Sequence, residues 1–372
     1  MTKIPYFLKD YTELYNENPR EATKKWLADA KYGLFLHYGL FSMGDEFGEK
    51  KIQEWCQYSN AIPVKEYEKL KDKFTAENFD ADYIVSLAKE CGMKYINITT
   101  RHHDSFCIWD TEYTEFNSIN SPAKRDLLSE LYEACKKQDI GLLLYYSHGR
   151  DWRHPHAPNN DEWGGSARPL YDTPEPTYAY GEEHDLNIYL EFMKNQIKEI
   201  AEKFPDIIGF WLDGVAVPMS GDTDKFKIQE LYDFIHDLAP HLLVSYKQGI
   251  LGTEDFFTPE HYVPKKVDDN NEMTQEYQKN ASRLGKIGEK PDKLIEVNTT
   301  MIHDPVSWGY TKIGTHFTEK EVYDKIVSAR AINANFVMNT GVMPDGGIDP
   351  IDDKTLRLVG KMLKQNNILS KV

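Results

Sequence analysis

Seven short apolar runs recur along the chain, each followed by a polar or glycine-containing break and then an amphipathic stretch. They are YGLFLHYG (32–39), KYINITT (94–100), IGLLLYYS (140–147), IIGFWLDG (207–214), HLLVSYKQG (241–249), KLIEVNTT (293–300) and NFVMNTGV (335–342). Most are apolar almost throughout, the pattern of parallel strands covered on both faces. Between them, residues 80–92, 125–139, 186–204, 224–239 and 318–333 place apolar side chains at i, i+3, i+4 and i+7, which predicts helices. Asp80 and Thr318 stand where N-caps are needed. Strand–helix alternation over the whole length predicts an α/β fold with a parallel sheet. About eight strands in one chain of this size fit a (β/α)8-like barrel with long βα loops and some irregularity. A doubly wound sheet competes, but no GxGxxG follows the first strand.

Two stretches interrupt the alternation. Residues 148–185 are rich in Pro, Gly, His and Trp and too long for a turn, so an ordered loop beside a site is expected. Residues 265–292 are charged and polar and read as a surface excursion. The 372 residues suffice for one large barrel domain. A formal net charge of -16 argues against nucleic acid or an anionic membrane as partner. Cys56, Cys91, Cys107 and Cys135 show no CxxC pairing and read as reduced thiols. No signal peptide or membrane span is legible, so a cytoplasmic location is expected. A homo-oligomer is compatible with the sequence.

The candidate chemistry gathers at the strand ends. His37 lies near the end of the first run; Arg101, His102, His103 and Asp104 follow the second; Tyr145 and Ser147 close the third. Asp213 ends the fourth and Lys247 the fifth, while Glu296 and Asn339 lie in the last two. A (β/α)8 barrel builds its active site from the C-terminal ends of its strands, and a buried unpaired charge is costly. Adjacent residues of a strand face opposite ways, so His102 and His103 share a site only if the strand bends. No HxH or HExxH joins these histidines; the HPH of His154–His156 keeps a metal in play, but none is expected. No GxSxG marks a nucleophilic serine. A glycosidase needs two carboxylates, one to attack or to activate water and one to protonate the departing oxygen. Asp213, Glu260 and Glu296 are the candidates, each with a plain structural alternative: a turn aspartate, an exposed loop glutamate and a paired buried glutamate.

YGLFLHYGLFS, Glu54-Trp55, RHHDSFCIWDTEYTEFNS, KRDLLSELYEAC, LLLYYS, FWLDG, SWGY and NFVMNTGVMPDG resemble, in order and context, the α-L-fucosidases of glycoside hydrolase family 29. The resemblance covers residues 25–360. It implies a retaining exo-glycosidase acting on terminal α-L-fucosides through a covalent glycosyl-enzyme, without a cofactor. Asp213 matches the nucleophile; His37, Glu54, Trp55, His102, His103 and Tyr145 match residues that hold the sugar, with Lys247 beside them. Glu260 and Glu296 match the two positions from which an acid/base is drawn. Glu260 is preferred, because a group that must reach both the leaving oxygen and water belongs at the rim. The implied partner is a fucosylated oligosaccharide or glycoside. Many relatives carry a C-terminal β-sandwich, for which this chain looks too short, so a single catalytic domain over 1–372 is expected. Tyr38, Ser105, Lys247 and Ile295 replace the family's usual Trp, Gly, Arg and Trp. These changes leave room for a related sugar such as α-L-galactose, or for a weakly active sugar-binding homologue.

Overall fold

The computed structural model describes residues 3–48, 52–261, 286, 292–304 and 306–370. Apart from Lys286 and Asp292, the polar segment 265–292 lies outside them. Seven parallel strands form one sheet in the order β5-β4-β3-β2-β1-β10-β6. They are β1 (Tyr32–His37), β2 (Tyr95–Arg101), β3 (Gly141–Ser147), β4 (Gly209–Asp213), β5 (Leu243–Tyr246), β6 (Glu296–Thr300) and β10 (Asn335–Gly341). Between β6 and β10, β7 (Ile302–Asp304), β8 (Val306–Ser307) and β9 (Thr315–His316) make a small antiparallel sheet.

An eighth stave closes the barrel, and the hydrophobic pattern did not predict it. Residues 255–260 join the two free edges of the sheet. On one side Asp255 and Thr258 donate their amides to Val244 and Lys247 of the β5 edge. On the other, Phe257 pairs with Ile295 and Glu260 with Asn298, both in parallel bridges. Pro259 has no amide to donate and interrupts the ladder, so the segment lacks the continuous signature of a strand. Glu260 therefore stands at the end of a barrel stave rather than in a free loop.

Every residue of β1 to β6 and of β10 is buried. This accounts for the near-continuous apolar runs: helices cover the outer face and the barrel interior takes the other. Alternation sorts the two cores. Phe35, Tyr95, Leu143, Tyr145, Trp211, Leu243 and Val337 point inward, joined from below by Phe7, Leu8 and Leu27 of the N-terminal segment. Leu34, Leu36, Ile96, Ile98, Leu144, Leu212, Val244 and Met338 point outward against helices such as Ala81–Glu90, Leu127–Gln138 and Leu186–Lys203. The expected caps form: Asp80 accepts the Tyr83 amide at 2.9 Å, and Thr318 makes a reciprocal capping box with Glu321. The helix expected over 224–239 begins only at Ile228, because Thr223–Phe226 is a 3-10 turn. No helix among the described residues is long and apolar enough to cross a membrane.

Candidate active site

Inward parity is what carries the chemistry to the barrel mouth. Two residues beyond inward Phe35 comes His37; two beyond Trp211 comes Asp213; two beyond Val337 comes Asn339. Strand β2 breaks the rule usefully. Its register against β3 shifts between Thr99 and Arg101, so Arg101 pairs with outward-facing Tyr146. The bulge resolves the problem of adjacent histidines: the strand ends there, and both His102 and His103 line the cavity. Arg101 turns away and forms a fully buried ion pair with Asp151, 4.4 Å over the Tyr146 ring. Asp104 also leaves the site. It accepts from the Tyr67 hydroxyl at 2.9 Å, and burial pushes it up to about 7. The polar RHHD run thus splits into two cavity residues and two that pin the loops behind them.

The cavity measures ≈ 250 Å³. That is below the ~300–1,000 Å³ of sites for drug-sized ligands and suits a single sugar ring. Phe35, Tyr145 and Trp211 meet at centroid distances of 5.5–6.0 Å to form its aromatic floor. Asp213 stands on that floor. Its Oδ2 accepts from the Tyr145 hydroxyl at 2.6 Å and its Oδ1 from the Gly214 amide at 2.5 Å. The Lys247 ammonium lies 2.9 Å from Oδ1. Burial alone would raise this carboxyl, but the Lys247 and Arg150 charges and the Tyr145 hydroxyl outweigh it and hold Asp213 well below the ordinary carboxylate range. Gly214 has φ +89° and packs against Gly149, where a Cβ would come within 2.8 Å of backbone. The chain turns away immediately after Asp213 and leaves its carboxylate uncovered.

The same ammonium also pairs with Glu260 Oε1. Two carboxylate oxygens on one ammonium can be no further apart than the sum of two hydrogen bonds, about 6 Å. That ceiling for the two near oxygens lies below the ~6.5–9.5 Å of inverting glycosidases and is compatible with the ~5–5.5 Å of retaining ones. Lys247 itself is buried, which opposes its charge, but its two carboxylates overcome this and raise it.

The histidines are neutral, and their tautomers are set from behind. Asn339 gives its amide hydrogens to Thr300 Oγ1 and the Trp308 carbonyl, so its Oδ1 accepts from His37 Nδ1 at 2.7 Å. The Ser147 hydroxyl donates to the Arg150 carbonyl, so it accepts from His103 Nδ1 at 2.7 Å. Each ring is left with a bare Nε2, a hydroxyl acceptor. Burial lowers His37 to about 3 and pushes His102 and His103 well below their usual value. His102 lies parallel to Tyr145 at 5.3 Å, with a buried Nδ1 that has no partner among the described residues. Glu54 accepts from the Ser307 hydroxyl and the Gly309 amide on one oxygen, and burial raises it. Trp55 packs edge-on against His103 and Trp152.

Glu296 is elsewhere. As the first residue of β6 it is level with Asn335, at the barrel floor, and does not line the cavity. Its Oε2 accepts from the Tyr95 hydroxyl at 2.6 Å, and burial pushes it up to about 7. His154 packs on Tyr189 and Phe192, and His156 lies outside the cavity too. His102, His103 and Asp213 do bring donor atoms within 4.8 Å of one another. Both Asp213 oxygens are already engaged there by an ammonium, an amide and a phenol, which fits a metal poorly. The sequence reading missed Arg150, Trp308, Trp211 and Phe35 as cavity residues. Trp308 had a signal in SWGY; Arg150 lay unremarked in the long insert, which is ordered, as expected.

A barrel whose mouth holds two carboxylates on one cation, ringed by neutral histidines and aromatic faces, is the site of a glycoside hydrolase. The family model described as alpha-L-fucosidase matches residues 7–368, and the chain belongs to that family. It is 25% identical to human plasma alpha-L-fucosidase over 92% of its own length and 68% of that protein. The alpha-L-fucosidase AlfC of Lactobacillus casei, solved with alpha-L-fucose product, is 28% identical with a TM-score of 0.76, over 93% of this chain and 99% of that one. A Bacteroides thetaiotaomicron alpha-L-fucosidase, solved as a trapped covalent intermediate, is 27% identical with a TM-score of 0.73, over 93% of this chain and 75% of that one.

Proposed function

We propose that this protein hydrolyses terminal α-L-fucosides by double displacement, with Asp213 as nucleophile and Glu260 as acid/base. The observation that carries the assignment is the Lys247 ammonium, which touches both carboxylates and so keeps an oxygen of each within reach of one cation, in keeping with a retaining pair. An Asp213 oxygen bonds to the anomeric carbon while the bond to the leaving oxygen breaks. Glu260 gives that oxygen a proton. Glu260 then takes a proton from water, the water oxygen bonds to the anomeric carbon, and the Asp213 carboxylate departs. For the first step Glu260 must be protonated and Asp213 ionised, and the cations around Asp213 favour its ionised form. His37, His102, His103, Glu54 and Trp55 take the ring hydroxyls, and Tyr145 steadies the nucleophile. The one-ring cavity supports exo action, and the apolar rings of Phe35 and Trp308 suit the C5 methyl of fucose better than the hydroxymethyl of galactose. Glu296, buried under the aromatic floor, has no part in proton transfer.

Proton NMR of the first product tests the mechanism. Hydrolysis of a nitrophenyl α-L-fucoside should release α-L-fucose before mutarotation. Early β-anomer would rule out double displacement, and turnover of an α-L-galactoside at an equal rate would overturn the choice of sugar.

A further inference from the structure

Arg150 belongs to the cavity lining, yet beyond the effect of its charge on Asp213 the chemistry above gives it no contact with substrate. The residue is 7% exposed, and its side chain is held at two points. Nε donates to the Ser166 carbonyl at 3.2 Å and Nη2 to the Gly165 carbonyl at 2.5 Å. The guanidinium carbon sits 5.0 Å over the Trp55 ring. Nη1 has no hydrogen-bond partner among the described residues, so a buried cation keeps one donor edge unspent beside the nucleophile.

The order of groups around the barrel mouth shows what that edge meets. The anomeric carbon must lie between Asp213 and Glu260. From it the ring runs one way to C2 and its hydroxyl, the other way through the ring oxygen to the methyl-bearing C5. The mouth is divided likewise. Passing from β4 back to β1, away from Glu260, come Arg150, His103, Trp55 and Glu54, all polar or polar-tipped; on the other side, after β6, stands Trp308, which meets Phe35 of the floor at 6.1 Å. The methyl belongs beside Trp308, at the edge of the aromatic floor, so C2 faces the polar arc. Arg150 follows β3 and is the first member of that arc after Asp213.

We propose that Arg150 is a further catalytic residue, whose free Nη1 edge donates to the sugar's 2-hydroxyl. Hydrogen bonds to this hydroxyl strengthen as the ring approaches an oxocarbenium ion, so the contact stabilises the transition state more than the bound ground state. The inference rests on the fucosidase reading given above.

The test is a two-by-two comparison of kcat/KM: the parent and Arg150→Met, each with 4-nitrophenyl α-L-fucoside and its 2-deoxy analogue. Methionine keeps the apolar contact with Trp55 and removes the donor. The variant should lose about 10–100-fold on the fucoside, the worth of one hydrogen bond from a charged group, mostly in kcat. On the 2-deoxy analogue it should lose less than about threefold. Equal losses on both substrates would show that Arg150 acts only through structure or general field, and would overturn the proposal. So would a loss that tracks the leaving group instead of the 2-hydroxyl. If Arg150→Met does not fold, Arg150→Lys is put through the same comparison. A point charge cannot keep both carbonyl bonds and reach the sugar, so the loss should again be confined to the fucoside. A parent protein inactive on the fucoside refutes the functional reading and the role of Arg150 together; an active parent with equal losses refutes the role alone.

Discussion

Glu296→Gln separates the two glutamates by a property other than rate. Glu296 is fully buried, with one oxygen accepting from Tyr95 and Trp211 beside it, and burial takes it from an ordinary 4.5 to about 7. At roughly 1.4 kcal/mol per pH unit, that difference corresponds to about 3 kcal/mol. The sign follows from which state ionises first. Below pH 4.5 the folded and unfolded chains both carry the proton, and Glu296 costs nothing. Between 4.5 and 7 the unfolded chain releases it while the folded chain keeps it, so stability falls as pH rises. Above 7 both are ionised and the loss is complete. Glutamine has the same shape, still accepts from Tyr95 and does not titrate. The stability of Glu296→Gln relative to the parent should therefore rise by about 3 kcal/mol between pH 4 and pH 8. Urea unfolding followed by tryptophan fluorescence at intervals across that range measures it. Parallel pH–stability curves would refute the reasoning. So would a turnover defect on natural oligosaccharides as deep as that of Glu260→Gln, since it would return Glu296 to the chemistry.

Asp213→Ala should nearly abolish turnover, and azide should restore it on an activated fucoside, giving a β-L-fucosyl azide; a variant that keeps parental activity would remove Asp213 from the mechanism. Glu260→Ala should lose ~10²–10⁴-fold on substrates with poor leaving groups and far less on a dinitrophenyl fucoside, with azide giving the α-azide. A loss independent of the leaving group would point to a purely structural role. Dialysis against EDTA should leave kcat/KM unchanged, because Asp213 is satisfied by Lys247 and Tyr145; loss of activity restored by zinc would convert His102, His103 and Asp213 into a metal site.

The periodic part of this protein was readable from its sequence, and the aperiodic part was not. Strands covered on both faces announce themselves as apolar runs, and Asp213 could be placed because it ends one. The stave at 255–260 could not: Pro259 and the lack of a regular ladder erase the pattern, and Glu260 looked like a loop residue. His102 and His103 were suspected from composition, but their shared direction depends on a register shift that no local sequence rule reveals. Glu296 misled for the opposite reason. Its strand was legible, but its depth depends on where that strand begins, and a few residues separate the barrel floor from its mouth. Arg150 stayed hidden because an arginine in a long polar insert carries no sign of the Gly165 and Ser166 carbonyls that aim it.

The irregular stave separates the two halves of the chemistry in heritable terms. Asp213 is built into a continuous ladder, where an insertion or deletion would flip every side chain between core and cavity. Glu260 rides on six residues joined to their neighbours by isolated bridges, with a proline in their midst. A length change there shifts the proton donor and leaves the nucleophile, its tyrosine and the histidines where they were. The aglycone side of such an enzyme can diverge while the fucose side stands still, and 255–260 is the segment at which to graft or randomise when a different leaving group is wanted.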